Sequence, residues 1–97
     1  MAEINIVVRS NGDFEYFPGL CHARRGEPIT WRANGPWSIQ FNGETPLDSV
    51  SVHGPADKAV ESRVRSDAAR GTYHYAVAVL HEGQIYLDAG CPTIIIG

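Results

Sequence analysis

The sequence has little of what usually reveals the function of a small domain: cysteine, methionine, an excess of one charge, or a long apolar run. Its 97 residues include two cysteines and one methionine. Lys and Arg number 8 against 11 Asp and Glu, so the net charge is −3 and lacks the basic excess of a nucleic-acid-binding domain. No apolar run approaches the length of a transmembrane helix, which is about 20 residues. We therefore expect neither nucleic acid nor a membrane among the partners.

The two cysteines, Cys21 and Cys91, are too few for a disulfide framework and too far apart for a zinc motif. The residues after Met1 contain neither the basic nor the long apolar segment of a secretory signal, which predicts a cytoplasmic protein. A secreted protein whose signal had been removed would have the same sequence. In a reducing cytoplasm both thiols are expected to be free and buried or partly buried, whereas an oxidising compartment would allow a bridge between them.

What the sequence has in abundance is alternation of apolar and polar residues with a period of two, which is typical of strands with one buried face. Turn signals rich in Gly, Pro and Asn separate these segments. The strongest segment is Thr72 to Leu80, whose faces are both largely apolar, and we therefore expect a central strand there. The other predicted strands cover residues 4–8, 14–17, 21–24, 29–33, 37–41, 84–88 and 93–96, and residues 49–52 fit a further short strand.

The segment from Pro55 to Arg65 fits two structures. Its small apolar residues lie on one face of a helix, while Val60, Ser62 and Val64 alternate as in a strand. A single helical turn near residues 56–60, followed by a strand, satisfies both patterns.

Short strands separated by regular turn signals predict an antiparallel β-sandwich or barrel. We expect an all-β, Greek-key sandwich of about seven or eight strands. Residues 1–97 are expected to form a single domain, because a chain of this length is near the lower end of the size of an independently folding unit.

Three segments carry a more specific pattern: Arg-Gly-Glu-Pro-Ile-Thr-Trp over residues 25–31, Gly-Pro-Trp-Ser-Ile-Gln-Phe over residues 35–41, and Gly-Thr-Tyr-His-Tyr over residues 71–75. In this order they resemble three strands of the cupredoxins. The first is similar to the glycine turn and the strand after it, the second to the Pro-His-Asn-Val-x-Phe strand, and the third to the strand that delivers the copper cysteine. The resemblance spans the chain and implies a cupredoxin-like sandwich.

The resemblance would also imply a type 1 copper site of two histidines, one cysteine and a weakly bound methionine. Trp37 stands where the resemblance places the first histidine, and Val77 stands where it places the cysteine. Ile85 or a neighbour falls in the methionine region, and His81 lies at the spacing of the second histidine. One ligand of four does not make a site, so we expect no type 1 copper and no bound cofactor.

The four histidines suggest a second hypothesis, a copper- or zinc-binding protein with a remodelled site. His74 and His81 are its first candidates, with His22 or His53 as a further ligand. A tight site needs three or four converging donors, and His22 lies on the opposite strand face from Cys21. The simpler interpretation of His74 is a partly exposed, hydrogen-bonded side chain.

The sequence contains no nucleophile elbow, phosphate loop, dinucleotide fingerprint or zinc-protease motif. Cys91, which precedes Pro92, is the only candidate nucleophile. A small residue packed at the start of the last strand is the simpler interpretation of it, since reactive cysteines need an exposed, electropositive setting. The sequence therefore favours a protein that is not an enzyme, and no catalytic residue is assigned.

The remaining candidate site is the end of the sandwich where Trp37 and the His81–Glu82 turn are expected to lie. An exposed Trp there would form a recognition surface, since Trp is enriched at binding hot spots. Against this, Trp37 shares a strand face with Ile39 and Phe41, which favours an inward, core position. Polar residues such as His81 and Glu82 are also expected at a hairpin tip without any function.

The best interpretation of the sequence is a metal-free cupredoxin-like module that binds a protein partner or associates with itself, since fold alone assigns no function. The last strand, Thr93 to Ile96, supports association, because it is apolar on both faces and is either central or an edge that needs covering. The alternative is the remodelled histidine site.

Overall fold

The computed structural model describes residues 2–97, with the backbone alone for residues 90 and 91; Met1 lies outside the described residues. This part contains no helix, and hence none long and apolar enough to cross a membrane. It is all-β, as the sequence predicts. Its nine strands are β1 (Ala2–Val8), β2 (Phe14–Phe17), β3 (Leu20–Ala23), β4 (Pro28–Ala33), β5 (Trp37–Phe41), β6 (Ser51–Gly54), β7 (Val60–Arg63), β8 (Gly71–His81) and β9 (Gln84–Ile96).

The strands form two mixed sheets. One has the order β2-β1-β4-β7 and the other the order β3-β9-β8-β5-β6. Most neighbours are antiparallel, but β1 pairs with β4, and β3 with β9, in parallel. The β-sandwich is as predicted, but the expectation that its strands run antiparallel fails for these two pairs. These two pairs are not joined by hairpins, and only strands joined by a tight hairpin must run antiparallel.

Alternation of buried and exposed side chains builds the core between the sheets. In β1, Ile4, Ile6 and Val8 are buried and their neighbours are more exposed, which confirms a strand with one buried face. The interior centres on Trp31, whose ring lies edge-on to Tyr75 with 5.3 Å between the centroids. Both side chains are almost fully buried, so the two sheets are held together by large aromatic contacts.

β8 lies in the middle of the five-stranded sheet, as its two apolar faces predict. β9 is a single strand of 13 residues, which joins the two segments predicted separately over 84–88 and 93–96. Its pairing with β8 shifts in register between His74 and Ala76, the position of a β-bulge. The end of β9, Thr93 to Ile96, is flanked by β3 and β8 and is therefore central.

Residues 55–65 contain a turn and then a strand, without a helical turn. Asp57, within the turn, has a φ of 56°, which lies in the left-handed region and interrupts any right-handed helix. β7 follows, and Ser62 and Val64 are buried on one side of the chain. The predicted strand is thus confirmed, whereas the helical turn near 56–60 is wrong.

Candidate functional site

Trp37 and Val77, the residues at two positions implied for copper ligands, both lie in the core. Their side chains are 4% and 1% exposed. They belong to neighbouring antiparallel strands, because Trp37 lies opposite Val79 and Ile39 lies opposite Val77. An indole and an isopropyl group offer no soft donor to a metal ion, so these residues pack the core of the sandwich.

Trp37 is enclosed by aromatic and backbone neighbours. Its ring stacks on Trp31, with 6.2 Å between the centroids. A Cβ added at Gly54 would approach the Trp37 ring to 3.0 Å and Val60 to 2.6 Å, so the indole fits because Gly54 has no side chain. The inward position favoured for Trp37 is confirmed, and the residue contributes almost nothing to the exposed surface.

His81 and Glu82 lie at the tip of the β8–β9 hairpin. Glu82 and Gly83 both have positive φ, 52° and 78°, which is the geometry of a two-residue type I′ turn. His81 Nε2 is 3.7 Å from Glu82 Oε1. The two residues border an open groove of about 490 Å³ that Arg9 and Asn34 also line. The tip therefore presents polar side chains, while Trp37 lies opposite Val79, two residues before His81.

The histidines lie far apart in the topology. His22, His53 and His74 are exposed on three different strands, β3, β6 and β8. His74 Nδ1 lies 3.2 Å from the Thr93 hydroxyl, so its interpretation as an exposed, hydrogen-bonded side chain is confirmed. Among the described residues, no three His, Cys, Asp or Glu side chains are grouped so that they could hold a metal ion.

Cys21 is a free thiol, 3% exposed on β3, and the expectation of a buried free thiol is confirmed for this residue. Burial raises the pKa of the Cys21 thiol, and the nearby charge of Glu27 raises it further. Since the thiolate is the nucleophile, this setting suppresses reactivity. The side chain of Cys91 lies outside the described residues, and its interpretation as a packed or a reactive thiol stays a prediction.

The outer side of the β8–β9 hairpin is apolar. Leu80, Ile85 and Leu87 are 42%, 72% and 74% exposed. The register places Leu80 opposite Ile85 and Ala78 opposite Leu87, and residues directly opposite in an antiparallel pair share one face. We call this surface the hairpin face; it consists of Ala76, Ala78, Leu80, Ile85, Leu87 and Ala89.

The surroundings of the hairpin face are polar but almost free of charge. β5 extends the same side of the sheet with Ser38 and Gln40, and β6 extends it with Ser51 and His53. Across this part of the sheet, the described outward residues include no Asp, Glu, Lys or Arg. A shallow depression of about 170 Å³ lies beside Leu80. An apolar centre with an uncharged polar border is typical of a protein interaction surface.

The hairpin face is not among the sites predicted from the sequence. The signal that could have revealed it is the alternation of Ile85 and Leu87 with Tyr86 and Asp88 after the Glu82–Gly83 turn. With the turn fixed there, Ile85 and Leu87 must share a face with the outward residues of β8.

Solved structures that are similar to this chain include several cupredoxins. A purple cupredoxin from Nitrosopumilus maritimus aligns over 100% of both chains, with a TM-score of 0.58 and 17% identity. A pseudoazurin from Sinorhizobium meliloti aligns over 100% of this chain and 75% of its own, with a TM-score of 0.57 and 18% identity. A variant of amicyanin in its reduced Cu(I) form aligns over 100% and 84%, with a TM-score of 0.55 and 16% identity. The fold is that of the cupredoxins.

No protein-family model matches the sequence, and no curated protein is significantly similar to it. At 16–18% identity the cupredoxin likeness establishes the fold. The residues present do not fit a type 1 copper ion, because Trp37 and Val77 occupy two implied ligand positions, the methionine region holds Ile85 and its neighbours without a Met, and only His81 could donate. In this cupredoxin fold, the strands β8 and β9 continue to a two-residue turn, and their outer side carries the hairpin face.

Proposed function

We propose that this protein is a metal-free module of cupredoxin fold that binds a protein partner through the hairpin face. The observation that carries the proposal is the exposure of Ile85 and Leu87, both about three-quarters exposed and on the same sheet face as Leu80. Full burial of an aliphatic side chain of this size is worth about 1.5–3 kcal/mol. Covering the face with a partner is therefore favourable.

The absence of charge on the described part of this face supports a protein as the partner. Nucleic acid and anionic membranes are recognised by clustered Lys and Arg side chains, which this side of the sheet does not carry over its described residues. The centres of protein–protein interfaces are instead depleted in charge. The rim supplies polar groups, since Ser38 and Gln40 lie beside the apolar residues.

The alternative function, metal binding through a remodelled histidine site, gains no support from the histidine positions. His74 and His81 lie on the same strand but seven residues apart, and His22 and His53 belong to the two edge strands of the sheet. A site would require three or four converging donors. Partner binding is the proposal that the geometry favours.

Photo-crosslinking in the native host tests the proposal. A photoactivatable amino acid is placed at Leu87 and, as the matched control, at Val50, which is 62% exposed but lies in the loop before β6. Position 87 is expected to give a discrete crosslinked product whose yield falls when Ile85→Ser is added, and position 50 is expected to give none. The absence of a product at position 87, or equal products at both positions, would contradict the proposal.

A further inference from the structure

The first part of β9, residues 84–89, pairs with a described neighbouring strand along only one of its two edges. β8 lies along Gln84 to Ala89, whereas β3 pairs with β9 only between Thr93 and Ile96. None of the described strands pairs with the other edge of residues 84–89, and no backbone hydrogen bond from a described loop reaches it. Alternate amide and carbonyl groups of this segment therefore point away from the sheet without a backbone partner from the described residues.

This edge carries almost none of the features that prevent edges from pairing. Natural edges are usually protected by Lys, by Pro, by a bulge or by a very short strand. The segment Gln-Ile-Tyr-Leu-Asp-Ala has no Lys and no Pro, and its register with β8 is regular from residue 84 to residue 89. Its single charge, Asp88, already accepts a hydrogen bond from the Tyr16 hydroxyl at 2.6 Å.

The unpaired edge also borders the hairpin face. Ile85, Leu87 and Ala89 are the outward residues of the segment, and all three are exposed. Tyr86 and Asp88 point the other way and are half-buried against the first sheet. A strand added at this edge would therefore satisfy backbone groups and cover aliphatic side chains at the same time.

We propose that the partner of the hairpin face is a second copy of this chain, joined by antiparallel pairing of the two 84–89 edges about a twofold axis. The inference rests on the proposed function, since it names the partner of the same face. Placing the axis at Tyr86 puts Ile85 of each copy opposite Leu87 of the other. The two hairpin faces then form one continuous apolar surface.

Symmetry favours a second copy over an unrelated extended peptide. Antiparallel pairing of one strand with itself is self-complementary, so a single twofold axis satisfies both edges at once. In this register Asp88 of one copy lies opposite Gln84 of the other, which keeps the two carboxylates apart and gives each an amide donor. Opposed aliphatic pairs on one face and unlike polar pairs on the other both stabilise strand pairing.

Sedimentation equilibrium of the purified protein tests the inference, with concentrations from about 10 μM to about 1 mM. The wild type is expected to shift from the mass of one chain towards that of two. Leu87→Lys, which sets a charge against the opposing aliphatic side chain, is expected to raise the dissociation constant at least about tenfold. Val50→Lys, at an exposed position outside the segment, is the matched control and is expected to leave it unchanged.

Hydrogen exchange of the wild type supplies the second measurement. Amides of residues 84–89 that point to the free edge should gain protection as the concentration rises, while those paired with β8 stay protected throughout. The inference would be overturned if the wild type remained monomeric at about 1 mM. It would also be overturned if Leu87→Lys left the dimer intact and the edge amides of the wild type gained no protection. In that event, a photo-crosslink from position 87 to a different protein would still support the hairpin face as a binding surface; no crosslink there would remove both proposals.

Discussion

Trp31 donates a hydrogen bond from its indole Nε1 to the hydroxyl oxygen of Ser62, at 2.8 Å, in the interior of the sandwich. Trp31 is 0% exposed and Ser62 is 8% exposed. The bond links β4 to the edge strand β7 and satisfies the one polar atom of the side chain at the centre of the core. It also explains why a serine occupies an inward position of β7.

Ser62→Ala leaves the buried Trp31 N–H without an acceptor. We expect the free energy of unfolding to fall by about 1–3 kcal/mol, since that is the cost of an unsatisfied buried polar group. Urea denaturation followed by tryptophan fluorescence measures the change. Ser66→Ala, at an exposed loop position, is the control and should stay within about 0.5 kcal/mol of the wild type. Equal midpoints for the two variants would show that the bond contributes nothing.

Gly35 is packed directly against the backbone of β8. A Cβ at this position would lie 2.0 Å from the Leu80 carbonyl oxygen, and a main-chain atom cannot rotate away as a flexible side chain could. Nearby, Leu80 N donates to Pro36 O at 2.8 Å, a contact that an outward shift of the chain would break. Gly35 therefore fixes the close approach of β5 to β8.

Gly35→Ala is expected to destabilise the fold by at least about 1–3 kcal/mol, the usual cost of overpacking. Gly19→Ala is a matched control, because the nearest atom to its added Cβ is 4.0 Å away and its φ is not in the left-handed region. Thermal unfolding of the two variants makes the comparison. A melting temperature for Gly35→Ala as high as that of Gly19→Ala would be incompatible with the packing at Leu80.

The strands were predictable because burial alternates along them with a period of two. Trp31 and Tyr75 illustrate this, since each has inward neighbours two residues away on its own strand. Which strands pair with each other was harder to predict from the sequence. The parallel pairing of β3 with β9 depends on residues about 70 positions apart, as in Cys21 with Ile94, and no local pattern encodes it.

β9 shows how tertiary pairing overrides local signals. Gly90 and Pro92 are turn formers in the sequence and divide the segment into two predicted strands. Because β9 pairs with β8 on both sides of the bulge, β9 continues through this region as one strand. The hairpin face could not be predicted from the sequence for a related reason. Leu80 and Tyr73 lie on different apolar faces of β8, and either face was a candidate for the core.

Tyr75 provides a test of the core at alkaline pH. Burial raises the pKa of its hydroxyl well above the usual range, and the nearby Cys21 and Asp88 add to the effect. The folded state therefore keeps the proton when the unfolded chain releases it near pH 10. Stability from this group is fully present below about pH 10 and is lost as the pH rises above it.

Tyr75→Phe should accordingly weaken the fall in the free energy of unfolding between about pH 10 and pH 12. The variant keeps the ring that contacts Trp31 and Phe41, at centroid distances of 5.3 and 5.5 Å in the wild type. Urea denaturation at several pH values measures the two slopes. Identical slopes for wild type and variant would mean that the hydroxyl does not titrate with unfolding.

Cys21 is expected to react only when the protein opens. In a Cys91→Ser background, alkylation of Cys21 at mildly alkaline pH should be at least about a hundredfold slower than that of free cysteine, because the reaction must wait for an opening of the core. Urea should restore the rate. Mass spectrometry of the labelled chain follows the reaction. A native-state rate close to that of free cysteine would be inconsistent with the burial of this thiol on β3.

We propose above that this protein of cupredoxin fold acts without a bound metal ion, through a surface of side chains. Titration with Cu(II) and Zn(II), followed by calorimetry and visible absorption, tests it most directly. Wild type and His81→Ala are expected to behave alike, with no copper–thiolate band and no saturable binding tighter than about 1 μM. Stoichiometric copper binding with an intense visible band, lost in His81→Ala, would contradict the claim.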